Sequence, residues 1–166
     1  MTALTRHLIN IILYYLPPTR LFVFRRFCLR LASVDLGKDV CFCGRSWIYG
    51  KGNISIGQNT WISPGVVIHT HTEADIIIGE RCDIGPSVEI ITGTHQIGGN
   101  SRRAGIGAAN PVKIGNGSWV GAKTLILGGV SVGEGVIISA GSVVTKSTPD
   151  NVLVAGVPAH VISTLR

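Results

Sequence analysis

Between Ile114 and Val144, an aliphatic β-branched residue occupies every sixth position of the chain. The six residues are Ile114, Val120, Ile126, Val132, Ile138 and Val144. Because six is a multiple of the two-residue period of a strand, all six side chains leave the same face of an extended backbone. On a helix, a step of six residues turns the side chain by about 240° and scatters the set around the axis. The spacing therefore predicts a repeat built from strands.

The same unit recurs earlier in the chain, where a glycine follows Leu36, Ile56, Ile78 and Ile84. The positions predicted to point inward in step with these are Phe42, Ile48, Ile62, Ile68 and Ile90. Interruptions shift the register near residues 52–55, 69–77 and 93–111. Insertions in a stacked repeat become loops on one side of the stack, and binding sites tend to form there.

The length of 166 residues fits one domain and is too short for two ordinary cores. The 22 glycines and the low content of charged residues, 14%, suit a repetitive β scaffold better than a helical bundle. The prediction for the fold class is an all-β stack of coils with a short N-terminal helical segment.

Residues 1–35 differ from the rest, with an apolar run at 8–16, the breaker Pro17-Pro18 and a second apolar run at 21–24. Much of the net charge of +6 comes from this segment, which has no acidic residue before Asp35. Its arginines are Arg6, Arg20, Arg25, Arg26 and Arg30. No stretch reaches the roughly 20 apolar residues that cross a bilayer.

Two interpretations of residues 1–35 stay open. A helix pair that is apolar on one side and basic on the other fits the surface of an anionic membrane. The same helices also fit as a cap on the open end of the stack, whose first coil would otherwise expose backbone groups. Nucleic acid is not favoured as a partner, because the rest of the chain lacks a basic stripe interleaved with aromatic residues.

The four cysteines, Cys28, Cys41, Cys43 and Cys82, predict a reduced chain, because no cleavable signal peptide is recognisable. The expected location is the cytoplasm, with peripheral contact at the inner face of the cytoplasmic membrane under the first interpretation. Cys41 and Cys43 flank the inward position of Phe42, so both are predicted to point outward. Without a second pair at ligand spacing, they do not indicate a zinc site.

Several motifs together resemble the hexapeptide-repeat acyltransferases. They are the hexads, the segment Thr92-Gly93-Thr94-His95, the run from Pro111 to Gly121, the run from Ala140 to Lys146, and Ala155-Gly156-Val157-Pro158-Ala159. The resemblance covers about residues 36–163 and is greatest to the maltose and galactoside O-acetyltransferases and to bacterial surface-polysaccharide O-acetyltransferases. It implies a single-stranded left-handed parallel β-helix, with three hexads per coil, that assembles as a homotrimer with active sites between subunits.

This resemblance divides the chain into three expected parts. Residues 1–35 are the helical cap or membrane-contacting segment. Residues 36–150 form the β-helix acyltransferase domain, with an inserted flexible loop at 96–111. Residues 151–166 form a tail that completes the coenzyme A site.

His95 precedes the long insertion and is the candidate catalytic residue. Transfer of an acetyl group from a thioester to a sugar hydroxyl requires removal of the hydroxyl proton, and a neutral imidazole suits that task near pH 7. Without the motif, a histidine in a surface loop is the simpler interpretation. Matched to the catalytic histidine of the family, His95 is predicted to be the general base. A backbone N–H of a neighbouring coil is expected to stabilise the oxyanion.

The resemblance also implies a binding site for acetyl-CoA, the predicted acyl donor. Its expected residues are Trp119, Gly121, Ala122, Ala140, Thr145, Lys146 and His160. Trp119 would line the cleft near the thioester, and Lys146 would offset phosphate charge. The alternatives are corner packing for the two alanines and a subunit contact for Trp119. His160 and Ser163 stand where the family usually has basic residues, so Arg166 is a further candidate for phosphate binding.

On the acceptor side, the sugar enzymes of the family present an Asn and an Asp, where this chain has Gly65 and Glu73. The expected acceptor is therefore a sugar other than the usual simple one, in the assembly of surface polysaccharide or lipopolysaccharide. The candidate acceptor-binding residues are Glu73, His69, His71, Arg102 and Arg103, of which the two arginines lie in the glycine-rich insertion. The alternative activity is N-acetylation of an amino sugar or nucleotide-sugar.

Two other classes stay open beside acyl transfer. The γ-type carbonic anhydrases share the predicted fold and bind zinc through histidines, for which His69, His71 and His95 are the candidates. The spacing argues against them, because His69 and His71 are two positions apart and the paired zinc ligands of those enzymes are five apart. No metal is therefore expected. The third class is a noncatalytic scaffold.

Overall fold

The computed structural model describes residues 3–166 and begins with two helices, α1 (Ala3–Tyr15) and α2 (Phe22–Leu31). Residues 1 and 2 of the predicted 1–35 segment lie outside the described residues. After α2, the chain winds through short parallel strands that stack into three flat faces. The predicted fold class, a single-stranded left-handed parallel β-helix with a short N-terminal helical segment, is confirmed.

Each of the five complete coils contributes one strand to each face, and the last two strands of the chain extend face 2. Face 1 contains β1 (Val34–Leu36), β4 (Ile54–Ile56), β7 (Ile76–Ile78), β12 (Val112–Ile114) and β15 (Ser131–Val132). Face 2 contains β2 (Cys41–Phe42), β5 (Trp61–Ile62), β8 (Asp83–Ile84), β13 (Trp119–Val120), β16 (Ile137–Ile138), β18 (Val152–Gly156) and β19 (Ala159–Thr164). Face 3 contains β3 (Trp47–Tyr49), β6 (Val67–His69), β9 (Glu89–Ile91), β14 (Leu125–Ile126) and β17 (Val143–Val144). At the C-terminal end, β19 folds back antiparallel on β18.

The predicted inward positions form the core. Every one of the fifteen hexad positions from Leu36 to Val144 is buried, with at most 7% of its surface exposed. Successive coils place these side chains directly above one another, as in the register of Ile48, Ile68 and Ile90 on face 3. The aliphatic column explains why the hexad keeps Val and Ile, which pack well on flat strands.

The register interruptions all fall on one edge of the stack. Along face 3, the paired residues Ile48, Ile68, Ile90, Ile126 and Val144 are separated by intervals of 20, 22, 36 and 18 residues. The excess over 18 lies each time between a strand of face 3 and the next strand of face 1. We call this edge the insertion edge.

The longest insertion differs from its predicted form. In place of a flexible loop at 96–111, the chain forms an antiparallel hairpin of β10 (Gly93–Ile97) and β11 (Ala104–Ala109). Backbone pairing, for example between His95 and Gly107, gives this segment a defined shape. The sequence argument missed it because small residues such as those of β11 carry little strand propensity.

Helices α1 and α2 pack on the first coil through polar as well as apolar contacts. The side-chain amide of Asn10 donates to the Ile48 carbonyl at 2.8 Å and accepts from the Ile48 N–H at 3.1 Å. It therefore satisfies the open backbone edge much as a strand would. Neither helix of the described residues is long and apolar enough to cross a membrane.

The arginines of this segment do not all face outward, which corrects the charge argument from sequence. Arg25 is completely buried and donates to the backbone carbonyls of Leu13, Leu16, Pro17 and Arg20. Arg6 is buried as well and donates to carbonyls of Gly50, Gly52 and Ala32. Of the five, only Arg20 and Arg30 are exposed, while Arg26 is half-buried.

Cys43, predicted to point outward, is not exposed to solvent. Its side chain is completely buried, because the chain before α2 covers this point and Pro18 accepts the Gly44 N–H at 2.7 Å. Burial raises the pKa of the Cys43 thiol to about 11. Cys41 is half-buried, and all four thiols are free.

Candidate functional site

An open groove of about 520 Å³ runs along face 2 and onto its edge with face 3. Four of the residues predicted for coenzyme A line it, and they come from consecutive coils. These residues are Trp119, Gly121, Ala122 and Ala140. Pro86 and Ile137 complete the apolar lining. The structure thus brings together four of the seven residues predicted for the donor site.

The floor of this groove is bare backbone because the coils approach closely there. A Cβ atom at Gly121 would lie 2.5 Å from the backbone N of Ala140, closer than real atoms pack. Only glycine therefore allows the corner to stack on the next coil. The two alanines add little bulk above it, so a ligand can reach the main chain.

The backbone N–H groups of Ala122 and Ala140 are both without an acceptor within residues 3–166, and both residues line the groove. The N–H groups of Gly121 and Lys123, on either side of Ala122, donate to backbone carbonyls instead. An unpaired backbone N–H that lines an apolar groove suits a carbonyl oxygen or an oxyanion.

A second cavity, of about 380 Å³, adjoins the groove on the side toward α2. The two spaces share Gly85, Pro86 and Trp119. Trp61 and Asp83 also line the second cavity, on strands β5 and β8 next to β13. Trp119 therefore stands between two neighbouring spaces.

The remaining residues predicted for coenzyme A lie elsewhere in a single chain. Thr145 and Lys146 follow β17 at the insertion edge, where both are exposed. His160 is exposed on β19, paired with Ala155 of β18. None of the three lines the groove.

His95 lies on β10, in the hairpin that leaves the insertion edge. All five residues of β10 are exposed. The apolar side chains of Ile97 and Ile106 are 91% and 74% exposed on the same hairpin. Such exposure of large apolar groups on a projecting arm is typical of a surface that contacts another molecule.

The predicted acceptor-binding residues share the insertion edge with His95. His69 ends β6, and its ring stacks on Tyr49 at 4.8 Å between centroids. His71 accepts a hydrogen bond from the Glu73 N–H through Nδ1 at 3.3 Å, within the short insertion. Arg102 and Arg103 are exposed at the turn that joins β10 and β11.

His95 and the groove are thus on different sides of one chain. His95 projects from the edge between faces 3 and 1, whereas Trp119 lies on face 2, across the body of the stack. Within residues 3–166, the coils of the stack lie between His95 and the groove. The arrangement can perform chemistry between His95 and a groove ligand only if a second copy supplies one of the two.

The histidines do not form a metal centre with other ligands in the described part of the chain. Across residues 3–166, no three His, Cys, Asp or Glu side chains come together in a way that would hold a metal ion. His69 and His71 are held locally instead, by Tyr49 and by the turn at Glu73.

The sequence argument overlooked Trp61, Asp83 and Pro86 as lining residues. Trp61, Asp83 and Trp119 each stand directly before a buried hexad residue, so they occupy the same outward position of successive coils. That shared position was readable from the hexad register.

Comparisons with known proteins agree with this description. Residues 111–146 match the family model of the bacterial transferase hexapeptide (six repeats). The chain is 32% identical over 145 residues to WcaF of Escherichia coli (strain K12), a predicted colanic acid biosynthesis acetyltransferase, covering 87% of this chain and 77% of WcaF. It is 37% identical over 114 residues to the galactoside O-acetyltransferase of the same strain, covering 69% and 55% of the two chains.

Among solved structures, the chain resembles a hexapeptide-repeat-containing acetyltransferase from Vibrio cholerae O1 biovar eltor, complexed with acetyl coenzyme A. The TM-score is 0.85 at 26% identity, covering 99% of this chain and 87% of that one. In sequence, the chain spans about half the length of several curated relatives that it matches.

Proposed function

Because the chain belongs to the hexapeptide-repeat acetyltransferase family, we propose that it transfers an acetyl group from acetyl-CoA to a hydroxyl of a sugar or saccharide precursor. The observation that carries the proposal is the groove of Trp119, Gly121, Ala122 and Ala140. The family resemblance assigns these positions to coenzyme A, and a single apolar space with a bare backbone floor suits the pantetheine arm.

In the proposed reaction, His95 Nε2 or Nδ1 accepts the proton of the acceptor hydroxyl as its oxygen attacks the thioester carbonyl. The N–H of Ala122 stabilises the oxyanion of the tetrahedral intermediate. Collapse of this intermediate breaks the C–S bond, and the thiolate of coenzyme A takes the proton back from the imidazolium. The products are the acetyl ester and free coenzyme A, with no net change at His95.

We further propose that the enzyme is a homotrimer and that each site lies between two subunits. His95 is separated from the groove within one chain, and the exposed hairpin with Ile97 and Ile106 offers an apolar arm for a neighbour. A closed ring of three places each arm over the next groove. In this assembly, Thr145, Lys146 and His160 supply contacts to the nucleotide end of coenzyme A.

The acceptor is proposed to be a saccharide of surface polysaccharide or lipopolysaccharide assembly. Glu73, His69, His71, Arg102 and Arg103 share the insertion edge with His95 and form one wall of the proposed acceptor cleft. A carboxylate, imidazoles and guanidinium groups suit hydroxyl and phosphate groups of a nucleotide-linked or lipid-linked sugar.

The activity is tested by release of free coenzyme A thiol from acetyl-CoA over a panel of neutral sugars, oligosaccharides and nucleotide-sugars. We expect release to depend on the acceptor and the acetyl product to be an alkali-labile ester. An amide product would instead identify an N-acetyltransferase. If calorimetry detects no binding of coenzyme A, acyl transfer from acetyl-CoA is contradicted.

We also propose that the outer faces of α1 and α2 contact the anionic inner face of the cytoplasmic membrane. Eleven of the nineteen exposed large apolar side chains in residues 3–166 lie between residues 4 and 31. On α1, Leu4, Leu8 and Tyr15 face away from the buried side that carries Asn10. Arg20 and Arg30 are exposed beside them and complement anionic headgroups.

The membrane contact predicts a clear effect of introducing negative charge on this surface. The double variant Leu8→Glu, Phe27→Glu alters two side chains that are 52% and 58% exposed and leaves the core intact. We expect the fraction bound to phosphatidylglycerol vesicles in a sedimentation assay to fall about tenfold, since two apolar groups can no longer insert. The matched control is Ile77→Glu on face 1. Equal sedimentation of all three proteins would refute the contact.

A further inference from the structure

We infer that Trp61, Asp83 and Trp119 form a subsite for a neutral pyranose ring of the acceptor. The inference rests on the proposed function and assigns the acceptor to a wall of the cleft in which the resemblance points to Trp119 alone. The three residues lie on β5, β8 and β13, adjacent strands of face 2, and line the cavity of about 380 Å³.

The strand register sets the width of this subsite. Trp61 pairs with Asp83, and Asp83 pairs with Trp119. Neighbouring strands are about 4.8 Å apart, so the backbones of the two tryptophans are about 10 Å apart with the carboxylate between them. A saturated ring in contact with an aromatic side chain on each side needs about 7 to 8 Å. The row formed by Trp61, Asp83 and Trp119 therefore has room for one sugar ring between the two tryptophans.

The side chains of this row match the two kinds of surface that a pyranose presents. Its C–H groups pack on the apolar tryptophans, and its hydroxyls donate to a carboxylate. Asp83 is exposed, and within residues 3–166 its carboxylate makes neither a hydrogen bond nor an ion pair, while its backbone N–H donates to the Ser118 carbonyl. The acceptor capacity of the carboxylate is thus available to a ligand.

The charge of the cavity selects against phosphate. Its lining contains Asp83 and no Lys, Arg or His. The carboxylate would repel the phosphates of coenzyme A, so the donor must extend the other way, toward Ala140. For the same reason, the group held here is the uncharged ring of the acceptor rather than a phosphate attached to it.

The position of the subsite places a sugar hydroxyl next to the thioester. The cavity and the groove meet at Gly85, Pro86 and Trp119. A ring beside Trp119 is adjacent to the end of the groove that holds the acetyl group. Trp61 is fixed from the other side by Phe22 of α2, at 5.6 Å between ring centroids and an interplanar angle of 62°. The first wall is therefore held in place before a sugar binds.

The test measures sugar binding and coenzyme A binding separately. Methyl galactopyranoside, methyl glucopyranoside and maltose are titrated against the tryptophan emission of the full-length protein, with coenzyme A binding measured by calorimetry. We expect at least one of these probes to perturb the emission, and Asp83→Asn and Trp61→Ala each to weaken its binding about tenfold or more. Coenzyme A binding should stay within about twofold of the wild type.

The matched control is Asp35→Asn, which changes an exposed carboxylate on face 1, away from the cavity. It should leave sugar binding unchanged. Unchanged sugar binding in Asp83→Asn would overturn the subsite, as would the absence of any effect of the three probes on wild-type emission. If glucosamine binds and the neutral probes do not, the subsite takes an ammonium group and the inference is wrong. If the wild-type protein does not bind coenzyme A, the proposed function is contradicted instead.

Discussion

Replacement of His95 by alanine is expected to reduce acetyl transfer by two to four orders of magnitude while coenzyme A still binds. A positioned general base contributes about this factor, because the hydroxyl is a poor nucleophile until its proton is removed. His95 is exposed on the hairpin and lines neither the donor groove nor the cavity beside it, so its loss should not affect the fold. The measurement is turnover by thiol release, together with calorimetry for coenzyme A.

The control is Gln96→Ala, which alters the next exposed residue of the same strand. It should retain turnover within a few-fold of the wild type. Full activity of His95→Ala would remove the histidine from the mechanism.

The same variant tests whether two subunits build each site. Ala140→Trp should fill the groove and abolish coenzyme A binding. When subunits of His95→Ala and Ala140→Trp are mixed and allowed to reassemble, about one quarter of the sites should combine an intact base with an intact groove. Activity should return to about that fraction. If the mixture stays as inactive as its components, the base and the groove belong to one chain.

Replacement of Gly115 by valine is expected to destabilise the β-helix by about 3 kcal/mol or to prevent folding. A Cβ at this corner would collide with the backbone carbonyl of Gly133 on the next coil. Backbone in a stacked coil cannot move aside without separating the face 1 strands above and below it. The free energy of unfolding, or the thermal midpoint, measures the effect.

The control for this corner is Gly99→Ala in the hairpin turn, where an added Cβ meets no atom within 4 Å. Its stability should stay within about 0.5 kcal/mol of the wild type. Equal stability of Gly115→Val and the wild type would mean that the coils are not packed as closely as described.

The hexad period was sufficient to predict the core, because the direction of a side chain on a strand is a local property of the backbone. Ile114, Val120 and Ile126 point inward because of the two-residue period of a strand, as do the hexad residues from Leu36 to Ile90. All of them are buried. The placement of the insertions at a corner followed from the same geometry, because a coil can lengthen there without breaking the strands of a face.

Contacts between distant segments were not predictable in this way. Cys43 occupies an outward position, and only the chain before α2 decides that it is covered. Arg25 counts toward the net charge in sequence, yet it is used inside the cap. The two tryptophans beside Asp83 come from β5 and β13, so the surroundings of this carboxylate are known only once those strands are paired with β8. These features depend on which surfaces meet, and the repeat does not encode that.

Side chains of α1 and α2 also bind backbone groups at the first coil of the stack. A column of parallel coils has no intrinsic length, because each end offers the backbone groups that another coil would use. Asn10 occupies those of Ile48, while Arg26 and Arg30 bind the carbonyls of Val40 and Leu36. Side chains thereby take the hydrogen-bonding places that the backbone of a further coil would take. Another coil can no longer pair with these groups at this end. The arginines that suggested an external partner in the sequence serve in part as the terminator of the β-helix itself.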